Sequence, residues 1–133
     1  VVAPFPGDFA AGIEGRMMDE TTTIAELRAR MAHFVARRAW EQFHTPKNLA
    51  SSIAIEAAEI MEHFQWHTAE ESIARMHDPV LRANVADELA DVMLYCFSFA
   101  NATGIDISEA VFKKLARNEV RFPVARVSDL LDT

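Results

Sequence analysis

Cysteine occurs once in the chain, at Cys96, so no intramolecular disulfide can staple the fold, and a reduced, cytoplasmic setting is expected. That thiol lies within an apolar run and reads as a buried, inert side chain. Long apolar runs are also missing. A membrane span needs ~18 consecutive apolar residues; the longest candidate, residues 92–102, is interrupted by Ser98 and Asn101 and reads as a core helix. Alternating apolar and polar stretches of strand length are absent, which leaves an all-α class. Positive charge is in deficit, with 13 Lys and Arg against 20 Asp and Glu for a net charge of −7. This balance argues against a polymeric nucleic acid held by its backbone, but not against a small phosphorylated molecule met by a few local cations.

Glycine is rare, and three of the four, Gly7, Gly12 and Gly15, fall in residues 1–16 together with Pro4 and Pro6. That stretch has no helical periodicity and ends in Ile13-Glu14-Gly15-Arg16 before Met17, a resemblance to a Factor Xa cleavage site ahead of a start methionine. Residues 1–16 therefore read as an expression tag, and residues 17–133 as one domain, long enough to bury a core.

What remains is ordered by helix signals. Thr23 with Glu26 has the form of a capping box, and Ile24, Leu27, Met31, Phe34, Val35 and Arg38 carry a helix toward Trp40, stopping near His44. Thr45-Pro46 opens a second helix to about Trp66. Thr68 with Glu71 caps a short one from about Ala69 to Met76. Asp78-Pro79 opens a long helix closed by Thr103-Gly104, and Asp106 with Glu109 caps a last one reaching Arg121, with Phe122-Pro123 ending it. The expected architecture is a bundle of four main helices plus a short one. Residues 94–100 are apolar nearly all round, which implies burial on several sides and an oligomer.

The chemistry is carried by two acidic pairs, Glu56 with Glu59 and Glu88 with Asp91, each spaced i, i+3 on one helix face. At about 100° per residue, Leu49, Ile53, Ala57, Ile60 and Phe64 form an apolar arc with Glu56 at its edge. Leu81, Val85, Leu89, Val92, Cys96 and Phe99 form a second arc, with Glu88, Tyr95 and Asp91 along its margin. Packing the two stripes together brings four acids to one seam. Like charges that close need a counter-charge, and an oxygen-only donor set suits Mg²⁺, with Mn²⁺ as a substitute.

In this order the residues resemble the MazG-like superfamily of all-α nucleoside triphosphate pyrophosphohydrolases. Three further stretches resemble its dCTP pyrophosphatase branch: Trp40-Glu41-Gln42-Phe43-His44-x-Pro46-x-Asn48, Phe64-Gln65-Trp66, and Lys114-x-x-x-Asn118-x-x-Arg121-Phe122-Pro123. The chain departs from that branch at Met31, where a histidine is usual, and at Phe122, where a tyrosine is usual. The resemblance implies Mg²⁺-dependent hydrolysis of a deoxynucleoside triphosphate, dCTP or a 5-substituted dCTP, to the monophosphate and pyrophosphate. It implies metal ligation by Glu56, Glu59, Glu88 and Asp91; of these carboxylates, Glu59 is the one expected to take the proton of the attacking water as well. Lys114, Asn118, Arg121 and Tyr95 would meet phosphate and sugar; Trp40, Trp66, His44 and Asn48 would meet the base. Relatives of this kind imply a tetramer built from dimers.

Two other readings compete. A carboxylate-bridged di-iron bundle also sets acids on facing helices but needs Glu-x-x-His on two of them, and the chain has only Glu41-x-x-His44. A non-catalytic helical module that binds nucleotide would have no need of acids beside an apolar stripe.

Overall fold

The computed structural model describes residues 17–125, so the expected tag at 1–16 lies outside the described residues. Five α-helices follow in order: α1 (Ile24–Ala36), α2 (Pro46–Glu62), α3 (Ala69–Arg75), α4 (Pro79–Thr103) and α5 (Ile107–Arg121). Among the described residues there is no strand, and no helix is long and apolar enough to cross a membrane.

Every expected helix start is present, for the expected reason. Thr23 Oγ1 accepts from the Glu26 amide at 3.1 Å while Glu26 returns a carboxylate oxygen to the Thr23 amide at 2.7 Å. The Thr23 amide and, at 3.2 Å, the Thr23 hydroxyl both donate to that carboxylate and hold it below its usual pKa. Thr68 and Glu71 make the same reciprocal pair at the start of α3. Thr45, Asp78 and Asp106 cap α2, α4 and α5, each accepting from a first-turn amide. At the far end of α4, Gly104 adopts φ 72° and closes the helix with a bond to the Ala100 carbonyl at 2.9 Å.

Two helix ends differ from expectation. α1 stops at Ala36, short of Trp40, and α2 stops at Glu62, before Trp66. After α1 the chain turns through Ala39 at φ 53°, and the Trp40 amide reaches back to the Val35 carbonyl at 3.2 Å, a six-to-one closure. A short 3₁₀ turn, Glu41–Phe43, then leads into α2. Left-handed backbone disfavours a Cβ by about 1–2 kcal/mol. Ala39→Gly is therefore expected to raise the melting temperature by a few degrees, after the entropy that glycine adds to the unfolded chain is set against the relief. A thermal melt showing no gain would place the strain elsewhere.

α2 packs most extensively on α4, and α1 lies against α4 as well. Val35, Leu49, Leu81, Phe97 and Ala100 form the core, with Leu49 only 2% exposed. Burial of a leucine to that degree contributes about 2–3 kcal/mol. Asn101, which breaks the apolar run of α4 in sequence, ties the helices together: Arg28 Nε donates to its Oδ1 at 3.1 Å, and its Nδ2 donates to the Arg28 carbonyl at 3.0 Å. Cys96 is half-buried, and burial pushes its thiol pKa up.

The second apolar arc is incompletely covered. Leu81 is buried, and Val85, Val92, Cys96 and Phe99 are half-buried, but Leu89 is 53% exposed. The residue-94–100 segment buries Phe97, Ser98 and Ala100 while leaving Leu94 exposed. α5 shows no comparable packing against any other helix among the described residues, and its Val111, Phe112 and Leu115 are exposed. Exposed large apolar residues thus lie on both α4 and α5.

Candidate active site

Glu56 and Glu59 lie one turn apart on α2, as Glu88 and Asp91 do on α4, and the α2–α4 packing sets the pairs against each other. Carboxylate oxygens of Glu56, Glu59 and Glu88 all lie within 4.8 Å of one another. Asp91 stands outside that triad, yet its charge acts on both Glu56 and Glu88.

The electrostatics are those of acids crowded together. The Glu56 carboxyl is raised in pKa, by burial foremost, then by the charge of Glu59 and a hydrogen bond shared with it. Asp91 and Glu88 add smaller repulsions. The Glu88 carboxyl is raised chiefly by a hydrogen bond shared with Glu59, then by burial and the charges of Glu59 and Asp91, with His63 opposing. Glu59 thus sits beside both other acids of the triad, its carboxylate oxygen within 4.8 Å of theirs. Glu56 Oε2 is buried and has no hydrogen-bond partner. A buried carboxylate oxygen with no donor is expensive.

These observations fit a divalent cation. Oxygens on opposite sides of one Mg²⁺ stand about 4.2 Å apart at a usual bond length near 2.1 Å, close to the spacing allowed here. The donor set is oxygen only, which suits hard ions rather than soft ones. Neither Glu41 nor His44 joins the triad, so the Glu-x-x-His arrangement of a di-iron site is not assembled among the described residues.

Beside the seam lies a cavity of about 640 Å³, within the range of small-molecule sites. Glu56 and Asp91 line it, with Leu94 and Tyr95 from α4 and His44 from the α1–α2 connection. α1 supplies Leu27, Arg30, Met31 and Phe34, and Trp40 follows them. The Trp40 ring is held edge-on to Phe34, centroids 5.9 Å apart. Arg38 covers the Phe34 ring at 3.6 Å and donates to the Phe34 carbonyl at 3.0 Å, fixing this wall from outside.

The residues expected to bind substrate therefore divide. Trp40, His44 and Tyr95 reach the cavity alongside Glu56 and Asp91. Asn48 instead donates its side-chain amide to the Phe43 carbonyl at 3.0 Å, bracing the turn before α2. Trp66 is 85% exposed and lines no part of the cavity. Lys114, Asn118 and Arg121 share α5, away from it. The contribution of α1 went unread in the sequence. Its signal was there: Leu27, Met31 and Phe34 repeat at helical spacing with the cation Arg30 at the edge of their stripe.

Fold and site define the class, a small all-α protein that opposes acids from two helices beside an aromatic-walled cavity. Residues 51–130 match the sequence model of the MazG-like family. The chain is 37% identical over 117 residues to dCTP pyrophosphatase 1 of Mus musculus, which takes in 88% of this chain and 68% of that protein. To dCTP pyrophosphatase 1 of Homo sapiens it is 38% identical over 101 residues, 76% of this chain and 59% of that one. Among solved structures, a pyrophosphatase from Archaeoglobus fulgidus superposes with a TM-score of 0.71 at 36% identity, covering 76% of this chain and 93% of that one. The chain belongs to the MazG-like family.

Proposed function

We propose that the acidic seam and its cavity hydrolyse a deoxynucleoside triphosphate, dCTP or a 5-substituted dCTP, to the monophosphate and pyrophosphate. The chain is a nucleotide pyrophosphohydrolase; the observation that carries the reading is the Glu56–Glu59–Glu88 cluster, with its orphaned buried oxygen, opening onto a cavity sized for a nucleoside. The similarity to proteins named dCTP pyrophosphatase 1 supports cytosine as the base.

Glu56, Glu59, Glu88 and Asp91 would hold Mg²⁺, or Mn²⁺ in its place. Such an ion, when bound, lowers the pKa of a coordinated water and offsets charge on the phosphoryl oxygens. The remaining work belongs to the chain. Glu59 takes the proton of the water that attacks the α-phosphorus, a role supported by its place beside both Glu56 and Glu88. The new bond forms from water oxygen to the α-phosphorus, the α–β bridging bond breaks, and pyrophosphate departs. Trp40 offers a plane for the base, His44 a hydrogen bond, and Tyr95, one turn beyond Asp91, a hydroxyl toward sugar or phosphate.

The reading includes a homo-oligomer, a tetramer built from dimers, acting on free nucleotides of the cytoplasm. Exposed Leu89, Leu94, Val111, Phe112 and Leu115 support self-association. Assembly would also bring Trp66 of α2's trailing turn and the Lys114, Asn118 and Arg121 face of α5 to a neighbour's cavity. Incubation with a panel of triphosphates and Mg²⁺, read by pyrophosphate release, should show turnover greatest with dCTP or 5-methyl-dCTP. Tight nucleotide binding with no release from any triphosphate would instead make the chain a non-catalytic nucleotide-binding module.

A further inference from the structure

His63 continues the acidic face of α2 past its last carboxylate. It lies seven residues on from Glu56 and four from Glu59, spacings that return to one side of a helix. Its own backbone is still helical, at φ −65° and ψ −21°. The ring is half-buried and stands edge-on to Phe64, centroids 6.4 Å apart. Among the described residues its side chain makes no hydrogen bond and no ion pair. Its charge nonetheless reaches across to α4, where it opposes the acids that crowd Glu88. His63 stands outside the Glu56–Glu59–Glu88 triad, so the oxygen-only donor set is complete without it.

Place along the seam narrows what this ring can meet. The cavity is lined by Glu56 and Asp91 but not by Glu59 or Glu88. His63 lies beyond those two, about 6 Å further along α2 than Glu59 at the usual helical rise. A triphosphate with its nucleoside in the cavity and its α-phosphorus at the acids therefore runs its β- and γ-phosphates away from the base, toward His63. The acids there repel a polyanion, and the remaining donor on that stretch of α2 is the imidazole, which carries at least one N–H in either protonation state.

We infer that His63 is a phosphate-binding residue that donates a hydrogen bond to the β-phosphate of the bound triphosphate and holds the pyrophosphate as it leaves. The inference rests on the hydrolase reading above for its substrate. A monophosphate has no group at that end of the seam, so His63 separates triphosphate from monophosphate without touching the base.

The experiment compares wild type with His63→Leu and His63→Gln in the presence of Mg²⁺, with thermal melts to check folding. Calorimetry measures binding of dCMP and of a dCTP analogue whose α–β bridging oxygen is replaced by methylene and cannot be cleaved. A hydrogen bond to a charged oxygen carries about 10-fold or more in affinity. His63→Leu should lose about that factor on the analogue and in kcat/KM for dCTP, while dCMP changes less than about twofold. His63→Gln keeps an N–H donor and should stay within about threefold of wild type on both ligands. Equal losses on both ligands, or a smaller melting shift from Mg²⁺ in His63→Leu, would mean that the ring acts on Glu88 and its metal, and would overturn the inference. So would a glutamine variant as weak as leucine, variants that bind the analogue as before, or a wild type that binds the analogue no tighter than dCMP. Failure of the hydrolase reading looks different: wild type would release no pyrophosphate from any triphosphate, and the preference for the analogue over dCMP, kept or lost in His63→Leu, would still decide the role of His63.

Discussion

Glu56→Gln is expected to abolish turnover, by at least about 10³-fold in kcat, while leaving the helices folded. The loss follows from removing a charged oxygen from a set that would hold a metal, an interaction that supplies several kcal/mol of transition-state stabilisation. The folding half is the more diagnostic. Glu56 is raised in pKa by burial and by Glu59, so its charge opposes folding whenever no cation is bound. Glutamine removes that charge, and its amide donates a hydrogen bond to Glu59, which glutamate cannot do when ionised. The metal-free variant should therefore melt a few degrees above wild type at neutral pH. A variant that is inactive and also less stable would mean that Glu56 holds the fold rather than the chemistry. Unchanged kcat would remove the site altogether.

Mg²⁺ should stabilise the protein near neutral pH and lose that effect in acid. A ligand at a hundredfold excess over its dissociation constant adds about 2.7 kcal/mol, a shift on the order of 10 °C for a chain of this size. The sign of the pH dependence follows from the raised pKa values of Glu56 and Glu88. In the metal-free protein the folded state binds these protons more tightly than the unfolded chain, so this contribution is greatest in acid. It falls as pH rises from the ordinary carboxylate value through the raised ones. Protons compete with Mg²⁺ for the same oxygens, so the gain from Mg²⁺ runs the other way: present above the raised values and lost as pH falls through them. Glu26 works against the first trend, because its lowered pKa contributes capping stability that is lost in acid. The readout is therefore the difference between melts in Mg²⁺ and in chelator, not either melt alone. A difference that stays constant between pH 4 and 8, or persists in Glu56→Gln, would show that Mg²⁺ binds elsewhere.

Much of this was legible because it is local. The caps at Thr23, Thr45, Thr68, Asp78 and Asp106 depend on residues two or three positions apart, and all five form. The i, i+3 spacing that puts Glu56 beside Glu59 depends on nothing outside one turn of helix. The ends of α1 and α2 were less legible. No proline or glycine separates α1 from Trp40 or α2 from Trp66, but after α1 the chain closes on the Val35 carbonyl through a left-handed Ala39, a conformation alanine does not advertise. Asn101 looked like an interruption in an apolar run; it is a two-bond link to Arg28, invisible across 73 positions of sequence.

The sequence by itself determined the five helices, their starts, and which acids share a face, because propensity, capping and a 3.6-residue period act within a few residues. Tertiary structure alone decided which faces meet. It set Glu88 against Glu56 and Glu59, left Asp91 at the edge of that triad, walled a cavity with α1, and kept Trp66 and α5 outside it. The physical reason is that apolar stripes specify burial without naming a partner, so the pairing of α2 with α4, and the orphaned oxygen it creates on Glu56, emerges only when the helices pack.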